Sequence, residues 1–111
     1  MAGIFKEISI YQVLGHSGPD GDGLAEASIL LTLPDAFGYM DFYRDGITLP
    51  PNKEEVHPTG VPFYRTRYRL AQFGNVVDIL RNEKPVFLFF EDETLQAYIT
   101  TGAEPTGEAE K

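Results

Sequence analysis

The chain has 111 residues, enough for one domain of ordinary size. Acids outnumber bases 17 to 9, giving a formal net charge of −8, and 8 Phe and 6 Tyr stand beside no Cys and no Trp. These counts exclude a disulfide framework, a thiolate metal site and a cysteine nucleophile, and no apolar run approaches the ~20 residues that span a bilayer.

Residues 4–14 open the chain with a period of two. Ile8, Ile10 and Leu14 share one parity, and Phe5, Tyr11 and Val13 the other, which predicts a strand ending at Gly15. Residues 15–23 hold four of the 11 glycines and must be a loop. Residues 24–33 alternate again, and Leu33-Pro34-Asp35 ends them. Residues 38–44 give a further strand, closed by Asp45-Gly46, a dipeptide suited to a hairpin turn. Residues 24–49 therefore read as two or three hairpin-connected strands. Residues 50–62 carry four prolines and no regular pattern, so they are expected to form a long loop.

Residues 61–70 are the clearest strand. Residues 71–83 are the only convincing helix, with Leu70, Phe73, Val76 or Val77, and Leu80 near helical spacing. Pro85 ends it. Residues 86–90 are wholly apolar and predict a central strand buried on both faces. Leu95, Ala97 and Ile99 then alternate with polar residues in a last strand. The aromatic clusters at residues 39–43, 63–68 and 87–90 are expected to supply the core.

One helix among about six strands predicts an α+β, mainly β domain. The expected form is a curved antiparallel sheet or small barrel, of the OB-like type among others, with the helix near residues 71–83. Residues 1–101 are expected to be a single globular domain and residues 102–111 a flexible acidic tail. The first ten residues lack the basic-then-apolar order of a secretory signal, so the expected location is the cytoplasm.

The strongest chemical feature is Arg65, Arg67 and Arg69. At alternate positions of a strand, three of the five arginines in the chain project from one face. Such a stripe can grip an anion through its guanidinium forks. It can also be satisfied locally. Tyr39, Asp41, Tyr43 and Asp45 alternate in the same way, and a neighbouring strand would supply acids to pair with the arginines and rings to stack on them. Candidate ligand-binding residues are therefore Arg65, Arg67, Arg69, Tyr39 and Tyr43, with His57 delivered by the proline-rich loop.

Other motifs fail. Gly15-His16-Ser17-Gly18 is not a nucleophile elbow, because Pro19 stands where the second glycine belongs. Asp20 and Asp22 suggest a calcium loop, but Ile29 falls where its twelfth-position carboxylate is required. His16 and His57, with Asp20, Asp22, Glu54 or Glu55 as the oxygen donor, lack metal-ligand spacing. No cofactor, metal site or catalytic residue is assigned. The negative net charge opposes nucleic acid, although the arginine stripe leaves short single strands as a minor alternative. The expectation is a small non-enzymatic binding or protein-interaction domain, with a protein partner or self-association. The main alternative is a sensor or enzyme for a small phosphate- or nucleotide-like anion.

Overall fold

The computed structural model describes residues 3–16 and 25–102. Its strands are β1 (Gly3–Glu7), β2 (Ile10–Gly15), β3 (Ala27–Leu33), β4 (Ala36–Tyr43), β5 (Lys53–Val56), β6 (Pro62–Arg69), β7 (Val86–Glu91) and β8 (Ala97–Thr101). A single 3₁₀ turn, Leu70–Gln72, leads into the helix α1 (Phe73–Asn82). The strands form two sheets. One has three antiparallel strands in the order β1-β7-β8, and the other has five in the order β2-β3-β4-β6-β5.

This architecture corrects the expectation of one curved antiparallel sheet or OB-like barrel. Neither sheet closes, since the outer strands β2 and β5 of the larger one do not pair with each other. Three local events account for the difference. The first predicted strand breaks at Ile8-Ser9, so β1 joins the small sheet and β2 the large one. The break is pinned by two backbone bonds, from Ile8 N–H to the Val86 carbonyl at 2.8 Å and from Ser9 N–H to the Thr32 carbonyl at 3.0 Å. Secondly, β4 and β6 run parallel. The Asp45-Gly46 turn therefore starts a crossover to β5 rather than a hairpin. Thirdly, the predicted proline-rich loop contains β5, a short edge strand paired antiparallel to β6. The real hairpin turn of this region is Pro34-Asp35, where Asp35 adopts φ 62°, a left-handed conformation that Asp tolerates better than most side chains.

Alternation decides what is buried. On the inner face of the large sheet, Ile29, Leu31, Ala36, Met40, Phe42 and Tyr64 join Val76 and Leu80 of α1 and Val86, Leu88 and Phe90 of β7 in one core. Each large apolar side chain so buried contributes roughly 1.5–3 kcal/mol. The helix lies at the Phe42 end of this face, where Phe73 meets Phe42 edge-on at 5.1 Å between ring centres. The small sheet lies at the other end, where Tyr64 meets Phe90 at 5.2 Å. Close approach there depends on Gly38, because a β-carbon at that position would stand 3.3 Å from Leu31 Cδ1 and 3.4 Å from Leu88 Cδ2.

β7 is central, but it is not buried on both faces. Val86, Leu88 and Phe90 face the core, while Phe87 and Phe89 are half-buried on the outer side. There Phe87 stacks on Phe5 and Phe89 on Tyr98, each pair at 4.7 Å. Part of the aromatic content thus covers an outer surface. Most of the loop predicted at residues 15–23, including Asp20 and Asp22, lies outside the described residues, as does the predicted acidic tail from residue 103 onward.

Candidate binding site on the outer face of the large sheet

The arginine stripe sits on β6, between the central strand β4 and the edge strand β5 of the large sheet. Parallel pairing with β4 brings Tyr39 beside Arg65, Asp41 beside Arg67 and Tyr43 beside Arg69. On the other side of β4, Leu30 lies beside Tyr39 and Ser28 beside Asp41. Period-two geometry puts all these side chains on the outer face.

The stripe is largely satisfied within the sheet. Arg65 Nη1 donates to Asp41 Oδ2 at 2.7 Å, and its guanidinium carbon lies 4.5 Å from the centre of the Tyr39 ring. Arg67 Nη1 stands 4.0 Å from the same carboxylate oxygen and donates to the Tyr43 hydroxyl at 2.8 Å. Arg69 Nη1 donates to the backbone carbonyls of Arg44 and Ile47, holding the start of the crossover. Asp41 and Tyr43 are fully buried, and Arg67 is only 8% exposed. A buried carboxylate is tolerable only when it is paired and hydrogen-bonded, and Asp41 is both.

A third partner of Asp41 comes from β3. Ser28 Oγ donates to Asp41 Oδ1 at 2.6 Å, and His16 Nε2 lies 2.9 Å from the same hydroxyl oxygen. A serine has one proton, and here it goes to the carboxylate. His16 must therefore carry hydrogen on Nε2 and donate to Ser28. The residue types are those of a hydrolase, but the order is His–Ser–Asp. A nucleophile needs the histidine between the other two, so that it can take the serine proton. Ser28 is also 3% exposed, out of a substrate's reach. This His–Ser–Asp–Arg series is a polar inlay that ties β3, β4 and β6 to the residue after β2.

Beside the inlay the same face opens into a hollow of about 330 Å³, lined by Leu30, Phe37, Tyr39, His57, Phe63 and Arg65. Phe37 and Phe63 face each other across the β4–β6 pairing, and Tyr39 meets Phe63 edge-on at 5.7 Å. Phe37 is 42% exposed. His57 follows β5, and its Nδ1 lies 2.9 Å from the Thr59 hydroxyl and accepts the Thr59 N–H at 3.2 Å. Of the residues singled out in the sequence, Tyr39, His57 and Arg65 come together here. Arg67, Tyr43 and Arg69 belong to the inlay and the crossover staple. Asp45, expected beside the arginines, is exposed beyond the end of β4.

Sequence reasoning missed Leu30, Phe37 and Phe63 as site residues. The signal was available for Phe63, which shares the parity of Arg65. Among the described residues no three His, Asp or Glu side chains gather as a metal site, and no helix is long and apolar enough to cross a membrane. His16 and His57 have separate partners, Ser28 and Thr59. Compared with models of known families, with curated proteins and with solved structures, the chain finds no match.

Proposed function

We propose that this small, mainly β domain is a non-enzymatic protein-interaction module, and that the hollow bounded by Phe37, Tyr39, Phe63, Leu30, His57 and Arg65 receives the partner. The observation that carries this reading is the pairing of one exposed ring, Phe37, and two half-buried rings, Tyr39 and Phe63, with a pre-positioned arginine. Aromatic residues and arginine dominate binding hot spots when they sit in a pocket that excludes water. Asp41 and Tyr39 hold the Arg65 guanidinium before any partner arrives, which reduces the ordering cost of association.

The same ion pair weighs against a free anion as the natural ligand. Asp41 offsets the charge of Arg65 at contact distance, inside a protein of net charge −8. A small anionic ligand remains the second reading, supported by the meeting of Arg65 and His57 at a hollow near the lower end of small-molecule sites. A thermal-shift series with inorganic phosphate and nucleotides tests it, since a bound ligand raises the melting temperature with concentration.

Phe37→Glu places a charge in the hollow at an exposed position. Immobilised wild-type and variant chains, matched for melting temperature, are exposed to an extract of the source cells. A partner retained by the wild type should lose at least about tenfold in affinity for the variant, the size expected for a hot-spot residue. Equal retention by both chains would contradict the assignment.

A further inference from the structure

The four outer strands of the two sheets are not equally protected. An outer strand exposes unpaired N–H and C=O groups, and proteins commonly guard it with charges, shortness or proline. β5 is short and carries Lys53, Glu54 and Glu55. β1 carries Lys6 and Glu7. β8 ends on two threonines and continues toward an acidic sequence containing Glu104, Glu108 and Glu110. β2, Ile-Tyr-Gln-Val-Leu-Gly, has no charge and no proline. Two of its apolar residues face solvent, Ile10 at 63% and Val13 at 46% exposure. Among the described residues, no strand pairs with its outer edge.

The ladder shows which groups lie there. Thr32 accepts from Ser9 N–H, and His16 N–H donates to the Glu26 carbonyl, so the even-numbered residues of β2 turn their backbone groups toward β3. Antiparallel alternation then leaves the amide and carbonyl of Tyr11 and Val13 on the open edge. We infer that this edge pairs antiparallel with β2 of a second copy of the chain, about a two-fold axis through Gln12.

The register follows from the sequence. Pairing about Gln12 sets Tyr11 against Val13 of the second copy and Ile10 against Leu14, so every off-axis pair within 10–14 is apolar. Opposed residues lie on the same face, as antiparallel pairing requires. Tyr11 and Val13 exchange backbone hydrogen bonds twice over by symmetry, and the exposed Ile10 and Val13 gain cover. The two five-stranded sheets become one of ten strands. Because the contact is self-complementary, it closes at a dimer. This edge is separate from the hollow of the proposed partner site, so either assignment can fail alone.

The absence of cysteine makes the register directly testable. At the axis, the Gln12 side chains of the two copies occupy a non-hydrogen-bonded pair, with Cα atoms at roughly 4.5 Å, inside the range a disulfide accepts. Gln12→Cys in the full chain should oxidise to a covalent dimer, whereas Glu55→Cys on the opposite edge should not. Sedimentation velocity of the wild type should show a monomer–dimer equilibrium. Val13→Lys should shift it at least about tenfold toward monomer, and Val13→Pro, which removes an outward N–H, should do the same if the lysine variant fails to fold. A wild type that stays monomeric at all concentrations, cross-linking equal at both cysteines, or open-ended oligomers would each overturn the inference.

Discussion

Asp41 is the residue on which the outer face turns. Its carboxylate takes bonds from Ser28 and Arg65 and faces Arg67. Removing one member of a buried ionic network leaves the others desolvated and uncompensated, at a cost of about 3–5 kcal/mol. Asp41→Ala should lower the unfolding free energy by that amount in urea. Glu26→Ala, which breaks the exposed 3.4 Å pair with Arg44, should cost less than about 1 kcal/mol. Two tyrosines give a second residue-scale test. Burial raises the Tyr64 and Tyr68 phenols above the ordinary tyrosine value, with Glu54 and Asp92 adding to the effect at Tyr64. Below about pH 10, folded and unfolded chains both hold these protons and stability is at its full value. Above it the unfolded chain releases them first, so stability falls until the folded groups also ionise. Urea unfolding measured across that range should show the decline, and Tyr68→Phe should flatten it.

At the scale of elements, Asn52 joins the two sheets. Its Oδ1 accepts the Arg67 N–H at 2.8 Å, extending the β6 ladder just before β5 begins, and its Nδ2 donates to the Leu95 carbonyl at 2.8 Å, between β7 and β8. Asn52→Ala strands two part-buried backbone groups and should cost about 1–3 kcal/mol. Faster amide hydrogen exchange at Arg67 in the variant would place the loss at this clasp.

Elements also show what the sequence could and could not tell. β6 and α1 were legible because their periodicities are unbroken over eight and ten residues. The Asp41–Arg65 pairing was legible as one of two alternatives, since both side chains follow strand parity. β5 was not, because three of its four residues are charged and only pairing with β6 makes it a strand. Nor was the break at Ile8-Ser9, where neither glycine nor proline marks the change of sheet. Parity assigns a residue to a face but not to a sheet, and it cannot distinguish parallel from antiparallel neighbours. The single-sheet expectation failed on that point, and Arg69 found the carbonyls of a crossover turn instead of Asp45.

For the whole molecule, the net charge of −8 conceals a division of labour on one sheet face. The positive stripe is mostly consumed inside the fold, and what faces outward beside it is aromatic. A second aromatic surface, on the small sheet, consists of the stacked pairs Phe5–Phe87 and Phe89–Tyr98. Among the described residues no arginine lies over its rings, and it is the natural competitor for a partner. The most direct measurement is therefore a ¹H–¹⁵N NMR footprint of the chain with the partner it captures. The proposed function predicts that amide signals of Leu30, Phe37, Tyr39, His57, Phe63 and Arg65 shift on binding, while those of Phe5, Phe87, Phe89 and Tyr98 stay fixed. The reverse pattern would contradict it.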